Sequence, residues 1–251
     1  MVECIIAHSD NLHILGQLQD ETVDLIYMDP PFNTGKTQQI HGKSYTDNNR
    51  DFRRWLKKRL RECIRVLKPR GSLFVHLDWR EVHYIKVALD KMMGRNNFQN
   101  EIIWAYDYGG RSKSVWSRKH DSILWYTKHH KNYTFNFDAM DRIPYMAPGL
   151  VGKEKAARGK TPTDVWWHTI VPTNGKERLG YPTQKPLGVL SRIVNVHSKP
   201  GHILLDPFAG TGTLGEAALI AGRDAILIDE NEQAIEIMER RLARFNPEII
   251  R

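Results

Sequence analysis

The chain contains few cysteines and no long apolar run. Cys4 and Cys63 are the two cysteines among 251 residues, and no histidine cluster accompanies either. We therefore predict neither a disulfide framework nor a metal site, and we expect a reducing, intracellular setting. Because no apolar stretch is long enough to cross a bilayer or to act as a signal segment, we expect a soluble, cytoplasmic protein without a membrane partner.

Acidic residues are also in deficit. Asp and Glu total 29 against 37 Lys and Arg, and the formal net charge of +8 favours a polyanionic partner. Residues 50–70 hold ten basic and two acidic residues, so this segment alone equals the surplus of the whole chain. Its apolar residues recur at helical spacing, namely Phe52, Leu56, Leu60, Cys63 and Leu67. Most of the charges fit the solvated face of a docked helix, and we expect a minority to contact phosphate.

Short β-rich runs alternate with helical patterns along most of the chain, which is long enough for one large domain with an insertion. The seven candidate strands are Cys4 to Ala7, Val23 to Met28, Ser72 to Leu77, Glu101 to Ala105, Ser122 to Tyr126, Ile203 to Leu205 and Ala225 to Ile228. The helical patterns are Asn11 to Leu18, Asp51 to Leu67, Arg80 to Met93, Pro186 to His197, Leu214 to Ala221 and Glu230 to Phe245. This alternation predicts an α/β fold with a seven-stranded, mostly parallel, doubly wound sheet.

A glycine-rich motif, DPFAGTGT, runs from Asp206 to Thr213 after a buried-strand pattern. Gly210 and Gly212 predict a tight turn that presents backbone N–H groups at the start of a helix, where an adenosine-containing ligand can bind. With Gly215 they complete GxGxxG, and Asp229 follows about twenty residues after the first glycine, where an acid can hold ribose hydroxyls. These features alone also fit an NAD-dependent oxidoreductase.

Asp206 favours a different cofactor. A carboxylate at the strand tip beside the glycine turn would repel a pyrophosphate, but it would attract the ammonium of a methionine-derived cofactor. S-adenosyl-L-methionine carries that ammonium and no phosphate. The sequence therefore favours S-adenosylmethionine, with the oxidoreductase kept as an alternative.

The motif DPPF, from Asp29 to Phe32, follows the strand pattern Val23 to Met28 and so lies at the carboxyl end of the sheet. Pro30 and Pro31 fix φ and remove backbone donors, which leaves the Asp29 carboxylate and the Pro30 carbonyl as acceptors. Two acceptors suit an NH₂ group, and Phe32 supplies a flat face for the ring that carries it. DPPF alone fits a rigid proline turn, but its pairing with DPFAGTGT at one sheet edge favours in-line methyl transfer to an exocyclic amine.

With these motifs in this order, the chain resembles the β-class amino-group DNA methyltransferases, in which DPPY or DPPF precedes FxGxG. The resemblance extends over nearly the whole chain and implies a Rossmann-like methyltransferase fold with permuted motif order. It implies a catalytic half at 1–106, a target-recognition insertion at about 107–180 that includes one sheet strand, and a cofactor-binding half at 181–251.

The resemblance also implies cofactor contacts. YPTQKP, from Tyr181 to Pro186, matches the family segment PTQKP at the methionine end of the cofactor, although Tyr181 stands where a histidine is frequent. Asp10 and Asn11 match the position near the adenine. The expected cofactor residues are Asp10, Asn11, Thr183, Gln184, Lys185, Asp206, Phe208, Gly210, Gly212, Thr213 and Asp229. Asp10 equally fits a helix cap, and Thr183 fits a cap for a helix that begins near Pro186.

The target base is open between adenine N6 and cytosine N4, and either base must be flipped out of double-stranded DNA to reach the clamp. By resemblance, Asp29 at the first position of DPPF favours adenine. Carbon-5 methylation needs an activated cysteine near a ligand loop, and neither cysteine fits. The polar segment Asn33 to Asp47 fits a lid over the base or a plain surface loop.

Recognition of the DNA sequence is expected of the insertion, whose basic residues are interleaved with aromatic ones. These residues are Arg111, Lys113, Trp116, Arg118, Lys119, Tyr145, Lys153, Lys155, Arg158, Lys160, Trp166, Trp167, Lys176 and Arg178. His120, Asp121 and Trp125 resemble a catalytic triad by residue type, but a structural role is favoured. Relatives are often dimers, so a homodimer is also expected, and a DNA enzyme would be nucleoid-associated. A catalytically silent DNA-binding relative stays as a further alternative.

Overall fold

The computed structural model describes residues 2–40, 43–172, 174–181 and 183–251. The strands of this part of the chain are β1 Cys4–His8, β2 Val23–Met28, β3 Thr37–Ile40, β4 Lys43–Thr46, β5 Leu67–Leu77, β6 Phe98–Ala105, β7 His120–Thr127, β8 Val165–Trp167, β9 Ile203–Asp206, β10 Asp224–Asp229 and β11 Glu248–Ile250. The α-helices are α1 Asn11–Gln17, α2 Phe52–Val66, α3 Val82–Met93, α4 Lys153–Arg158, α5 Leu187–His197, α6 Thr213–Ile220 and α7 Glu232–Leu242.

One sheet organises the described residues, in the order β11-β1-β10-β9-β2-β5-β7-β6-β8. The six strands from β11 to β5 are parallel, and β7 runs antiparallel to both β5 and β6. All seven predicted strands are confirmed. The sheet also has two three-residue edge strands, β8 and β11, so the predicted number of seven is too low. Runs this short carry no visible alternation in the sequence.

Helices cover both faces of the sheet, because alternate residues of each strand point to opposite sides. Leu25 and Tyr27 of β2 join the apolar core beneath α5, α6 and α7, while Ile26 and Met28 join the core beneath α2 and α3. The apolar stripe of α2 is buried as predicted, although Leu67 belongs to β5. Most of its basic residues therefore lie outside the core, as expected of a docked helix.

The covering helices change faces between β9 and β2. The helix α6 follows β9 on one face, and α2 follows β2 on the other, although β9 and β2 are hydrogen-bonded neighbours. Connections that diverge in this way leave a crevice at the carboxyl ends of the two strands. DPPF follows β2 and DPFAGTGT begins at the end of β9, so both motifs meet at this crevice.

The segments predicted as irregular contain more structure than expected. Residues 33–47 carry the antiparallel hairpin of β3 and β4 in place of a loop, with His41 and Gly42 outside the described residues. Asp47 closes the base of this segment by accepting hydrogen bonds from the backbone N–H groups of Asn33 and Thr34, at 3.0 and 2.9 Å. Residues 107–180 contribute two strands to the sheet, β7 and β8, where one was predicted.

Gly215 tests the packing that brings α6 against the sheet. A Cβ at this position would overlap Leu227 Cδ1 of β10 and would lie 3.2 Å from Leu242 Cδ1. We expect Gly215→Ala to lower the free energy of unfolding by about 1–3 kcal/mol through overpacking. Gly16→Ala on α1 is the control, since its Cβ would meet nothing within 4 Å and the change should raise stability by up to about 1 kcal/mol. Urea denaturation measures both, and equal effects would contradict the packing role.

Candidate active site

One cavity at the carboxyl edge of the sheet brings the predicted site residues together. Its lining includes Asp10, Asn11, Asp29, Pro30, Pro31, Phe32, Thr183, Gln184, Lys185, Asp206, Phe208, Gly210, Thr213 and Asp229. Gly212 is the exception among the predicted residues. It has a positive φ of 72° and faces α7, where an added Cβ would lie 2.8 Å from Met238 Cγ. Its absence of a side chain therefore serves the turn and the packing beneath it. Pro182 of YPTQKP lies outside the described residues.

Asp29 is paired with Lys185 across this cavity. Lys185 Nζ lies 2.5 Å from Asp29 Oδ2, and the two side chains are 12% and 15% exposed. Asp29 Oδ1 is enclosed, without a hydrogen-bond partner among the described residues, and lies 3.8 Å from His76 Nδ1. One carboxylate oxygen is thus held by an ammonium, and the other faces the protein interior.

A buried polar network supports the wall behind DPPF. In the tautomer that satisfies both partners, the Tyr27 hydroxyl donates to His76 Nδ1 at 2.6 Å, and His76 Nε2 donates to Asp121 Oδ2 at 3.2 Å. Burial raises the pKa of Asp121, but the hydrogen bond and charge of His76, together with the charge of Lys185 and the Tyr106 hydrogen bond, outweigh burial and keep that pKa below its usual range. The imidazole is 5.6 Å from the Phe32 ring, centroid to centroid. The network therefore fixes the ring against which Phe32 packs.

This network also shows whether His120, Asp121 and Trp125 form a catalytic triad. Asp121 does pair with a histidine, but the partner is His76 of β5, and His120 is exposed. Trp125 packs against Phe74, with the ring centroids 5.9 Å apart. His120, Asp121 and Trp125 are therefore not brought together as a reacting group, in line with the structural role that the sequence favoured.

The glycine turn uses its backbone donors internally. Gly210 N–H donates to Asp229 Oδ2 at 2.8 Å, and Gly212 N–H donates to the Ala209 carbonyl at 2.7 Å. The neighbouring Asp229 carboxylate holds the first of these N–H groups, and the tight turn itself holds the second. What the turn presents to the cavity is acidic side chains.

Two carboxyl groups at this turn have raised pKa values. Burial raises the pKa of Asp206 well above its usual range, and the nearby charges of Asp29 and Asp229 raise it further. Burial likewise raises the pKa of Asp229, against the hydrogen bonds that it accepts from the N–H groups of Asn231 and Gly210. Concentrated carboxylates with little solvent repel an anion and favour a cationic ligand. The geometry therefore agrees with the charge argument made for Asp206.

At the end of the cavity beside α1, Asp10 serves as a helix cap and as an ion-pair partner. It accepts a hydrogen bond from Leu12 N–H at 2.8 Å and pairs with Arg59 Nη2 at 2.6 Å. Arg59 is buried and lies 4.0 Å from the centroid of the Trp55 ring, and Trp55 in turn lies 5.5 Å from Phe208. Aromatic and cationic groups in this arrangement suit the flat ring of a nucleoside.

The described residues of YPTQKP brace the rim of the cavity. The side-chain amide of Gln184 accepts from Leu179 N–H and donates to the Glu177 carbonyl, at 2.8 and 2.7 Å. The helix α5 begins at Leu187 with Pro186 at its N-cap, so the predicted cap at Thr183 is wrong. Glu177 replaces it, because its carboxylate accepts from Leu187 N–H at 2.6 Å.

Comparison with known proteins assigns this architecture to a family. The family profile described as DNA methylase matches residues 23–240. The chain belongs to the DNA methylase family. It is 36% identical to the type II methyltransferase M.HpaI of Haemophilus parainfluenzae, over 95% of this chain and 74% of that protein. It is 34% identical to the DNA adenine methyltransferase YhdJ of Escherichia coli K12, over 94% of this chain and 82% of that protein.

Solved structures agree on the fold of the methylase. The crystal structure of the M1.HpyAVI-SAM complex superposes with a TM-score of 0.67 at 22% identity, over 95% of this chain and 98% of that one. The PvuII DNA methyltransferase, which is cytosine-N4-specific, superposes with a TM-score of 0.73 at 13% identity, over 100% of this chain and 95% of that one. The Rossmann-like methyltransferase fold is thereby confirmed, and the oxidoreductase alternative is set aside.

Sequence reasoning missed several cavity residues of the methylase. In the sequence, Tyr27 has the position of an ordinary strand residue. Trp55 and Arg59 have the positions of residues on the solvated face of a helix. The spacing of four between Trp55 and Arg59 places both beside the apolar stripe of α2, and that position was the available signal. No signal pointed to His76, because its partners Tyr27 and Asp121 come from other strands.

The burial of both cysteines argues against a nucleophilic role for either. Both cysteines are buried, and burial raises the pKa of Cys4 to about 12 and that of Cys63 further still. Among the described residues, no group of three or more His, Cys, Asp or Glu side chains is arranged to hold a metal ion. None of the helices in the described ranges is both long and apolar enough to span a membrane.

Asp206→Asn should show that the buried charge of Asp206 destabilises the folded protein at neutral pH. The folded protein binds the Asp206 proton more tightly than the unfolded chain does, so the wild-type protein loses stability as the pH rises above about 3.9, the usual aspartate value. Asparagine keeps the acceptor for Phe208 N–H and removes the charge. We expect the variant to be the more stable protein at neutral pH, by about 1.4 kcal/mol for each unit of the raised pKa up to that pH. Urea denaturation at pH 5 and pH 8 should show a larger gap at pH 8.

Asp90→Asn provides a control of opposite sign. Burial tends to raise the pKa of Asp90, but hydrogen bonds from Lys86 and Tyr126 lower it overall. This variant should therefore be less stable than the wild-type protein at pH 8. The destabilising role of Asp206 would be contradicted if Asp206→Asn and the wild-type protein had the same free energy of unfolding at pH 8. It would also be contradicted if the difference between them became smaller from pH 5 to pH 8.

Proposed function

We propose that the methylase transfers a methyl group from S-adenosylmethionine to the exocyclic amine of a flipped adenine in DNA. The observation that carries this proposal is the meeting, in one cavity, of the acceptor loop Asp29 to Phe32 with the acidic turn of Asp206 and Asp229. The first arrangement suits an amine on a flat ring, and the second suits a cationic, adenosine-containing donor. The names of M.HpaI and YhdJ as methyltransferases support the same reaction.

The cavity residues fit S-adenosylmethionine. Asp206 and Asp229 would hold the ammonium and the ribose hydroxyls, while Trp55 and Phe208 would line the adenine, with Asp10 and Asn11 beside it. Asn11 Nδ2 donates to the Pro207 carbonyl at 2.7 Å and so fixes the floor of the cavity at DPFAGTGT. When bound, the cofactor supplies an electrophilic methyl group on its sulfonium. The solved structure of M1.HpyAVI, which shares this fold, is a complex with that cofactor.

Asp29 and the Pro30 carbonyl would accept the two N–H bonds of the target amine. These acceptors orient the nitrogen lone pair towards the methyl group, and proximity then supplies a main part of the rate enhancement. Phe32 would stack on the base, and His76 behind it keeps the ring in place. The amine nitrogen would attack the methyl carbon directly, with S-adenosylhomocysteine as the leaving group, and would then lose a proton, so no covalent enzyme intermediate is required.

Adenine N6 is the favoured acceptor, with cytosine N4 as the alternative. Asp29 at the first position of DPPF resembles the adenine enzymes, and YhdJ is named as a DNA adenine methyltransferase at 34% identity. The likeness to the cytosine-N4-specific PvuII enzyme is at 13% identity and bears on the fold alone.

The DNA would bind along the same edge of the sheet. The segment 107–119 joins the end of β6 to the start of β7 and therefore emerges beside the cavity. Trp116 in this segment is 97% exposed, and the Arg118 guanidinium lies 4.0 Å from the ring centroid of Trp79, two residues beyond β5. Trp167 is also largely exposed and would belong to this surface, whereas Trp166 is buried in the core.

The proposal extends to the division of the chain and to the DNA contacts. We propose residues 107–180 as the target-recognition region between a catalytic part at 1–106 and a cofactor-binding part at 181–251. The exposed basic residues of α2 would meet phosphates at the flank of double-stranded DNA. The hairpin at 33–47 would lie over the flipped base. We also propose that the protein forms a homodimer and associates with the nucleoid.

Methyl transfer is tested directly with a radiolabelled donor. The wild-type protein is incubated with tritiated S-adenosylmethionine and genomic DNA that lacks adenine methylation, and the DNA is then digested to nucleosides. We expect label in N6-methyladenine. Label in N4-methylcytosine would select the alternative base, and donor binding without transfer would indicate a catalytically silent DNA-binding relative.

Asp29→Ala should abolish transfer while the protein still binds S-adenosylmethionine. We expect the turnover number to fall by roughly a thousandfold or more, because the amine loses its charged acceptor. Asp51→Ala is the matched control, since Asp51 is exposed and its side chain makes no cap hydrogen bond to α2. Calorimetry measures donor binding and the labelled assay measures turnover. Turnover retained in Asp29→Ala would overturn the assigned role.

Trp116→Ala should weaken DNA binding and leave donor binding unchanged. The loss of one aromatic ring that stacks on a base corresponds to about 1–3 kcal/mol, or roughly a 5- to 150-fold weaker affinity. Ile220→Ala is the control, because Ile220 is 57% exposed at the end of α6, on the opposite edge of the sheet. Fluorescence anisotropy with labelled duplex DNA measures both variants. Equal affinities for the two would remove Trp116 from the DNA surface.

A further inference from the structure

The cavity is acidic and contains two basic side chains among the described residues that line it. Its acids are Asp10, Asp29, Asp47, Asp206, Asp229 and Glu230, and its bases are Arg59 and Lys185. Arg59 is committed to Asp10 at 2.6 Å, beside Trp55. Lys185 is thus the cation that serves the part of the cavity around Asp29.

Lys185 contacts the same two groups that the proposed reaction assigns to the target amine. Its Nζ lies 2.5 Å from Asp29 Oδ2 and 5.0 Å from the centroid of the Phe32 ring. Asp29 Oδ1 offers no ready alternative, since it is enclosed and faces His76. An amine that approaches Asp29 must therefore compete with the Lys185 ammonium for one oxygen.

The carboxylate of S-adenosylmethionine would compete with Asp29 for the Lys185 ammonium. The cofactor carries a carboxylate, and a carboxylate placed among six acidic side chains needs a cation. The backbone of Lys185 is anchored, because its carbonyl accepts from Thr213 Oγ1 at 3.1 Å, but four rotatable bonds separate that backbone from the ammonium. Lys185 can therefore change partner without any movement of the fold.

We propose that Lys185 is a positioning residue that exchanges Asp29 for the cofactor carboxylate when the methyl donor binds. This inference rests on the proposed function and adds a binding order to it. The ammonium covers Asp29 until the donor draws it away, and the carboxylate is then free to accept the amine of the flipped base. The base is thereby admitted to a cavity that already contains the donor.

The exchange predicts a coupling between Asp29 and Lys185 that is measurable without DNA. The probe is S-adenosylhomocysteine, which carries the carboxylate and the ammonium but no sulfonium charge. While Lys185 is paired with Asp29, its ammonium is not available to the carboxylate of the probe, so only a fraction of the protein is ready to bind the probe. Asp29→Asn releases the ammonium and raises that fraction. We expect Asp29→Asn to bind the probe about fivefold or more tightly than the wild-type protein, and Lys185→Met to bind it about tenfold or more weakly.

The decisive measurement is the double-mutant cycle by isothermal titration calorimetry. In the Lys185→Met background, Asp29→Asn should give no tightening, because no ammonium is left to release. Lys185→Arg retains the cation and should restore the tightening, and Lys176→Met, at an exposed lysine nearby in the chain, should leave it unchanged. With 5′-methylthioadenosine, which lacks the carboxylate, Asp29→Asn should have no effect.

The outcomes separate the two proposals. Tightening that is equal in the wild-type and Lys185→Met backgrounds would reflect the loss of a nearby negative charge and would overturn the exchange. Weaker binding by Asp29→Asn would overturn it as well. Both results leave the methyl-transfer assay intact, whereas a wild-type protein that binds neither donor nor probe would overturn the proposed function together with the exchange. Thermal melting of each variant identifies any loss of folding.

Discussion

The parallel pairing of β9 with β2 is the constraint on which the rest of the structure depends. Parallel neighbours end at the same edge, so the residue that follows β2 and the residue that ends β9 must lie close together, although more than a hundred residues separate them in the chain. Asp29 and Asp206 are those two residues. The pairing of two strands therefore brings together two carboxylates that are far apart in the chain.

This convergence places like charges in a poorly solvated space, and much of the surrounding structure offsets them. Lys185 and Arg59 each pair with one carboxylate, and backbone N–H groups hold Asp206 and Asp229. Burial nevertheless raises the pKa of both turn residues. The cavity is thus kept at some expense of stability, as expected where a ligand of opposite charge completes the arrangement.

The sequence predicted the fold well because the periodicity of buried strands and docked helices is local. All seven strands and six helices were found within a few residues, and the two motifs marked the correct edge. The misses have a physical cause. The strands β8 and β11 are too short for a period, and His76 gains its meaning from Tyr27 and Asp121 on neighbouring strands. Nothing in the sequence indicated that the Gly210 N–H is taken up by the carboxylate of Asp229, which lies on another strand.

The reversed direction of β7 gives the catalytic edge a property that a fully parallel sheet would lack. In a parallel sheet each crossover must return to the far edge, but the turn from β6 to β7 begins and ends on the reactive side. Segment 107–119 can therefore lengthen, shorten or change its side chains without displacing Asp29, Asp206 or the strands that carry them. Partner preference can diverge between related chains at this turn while the reaction itself is inherited unchanged.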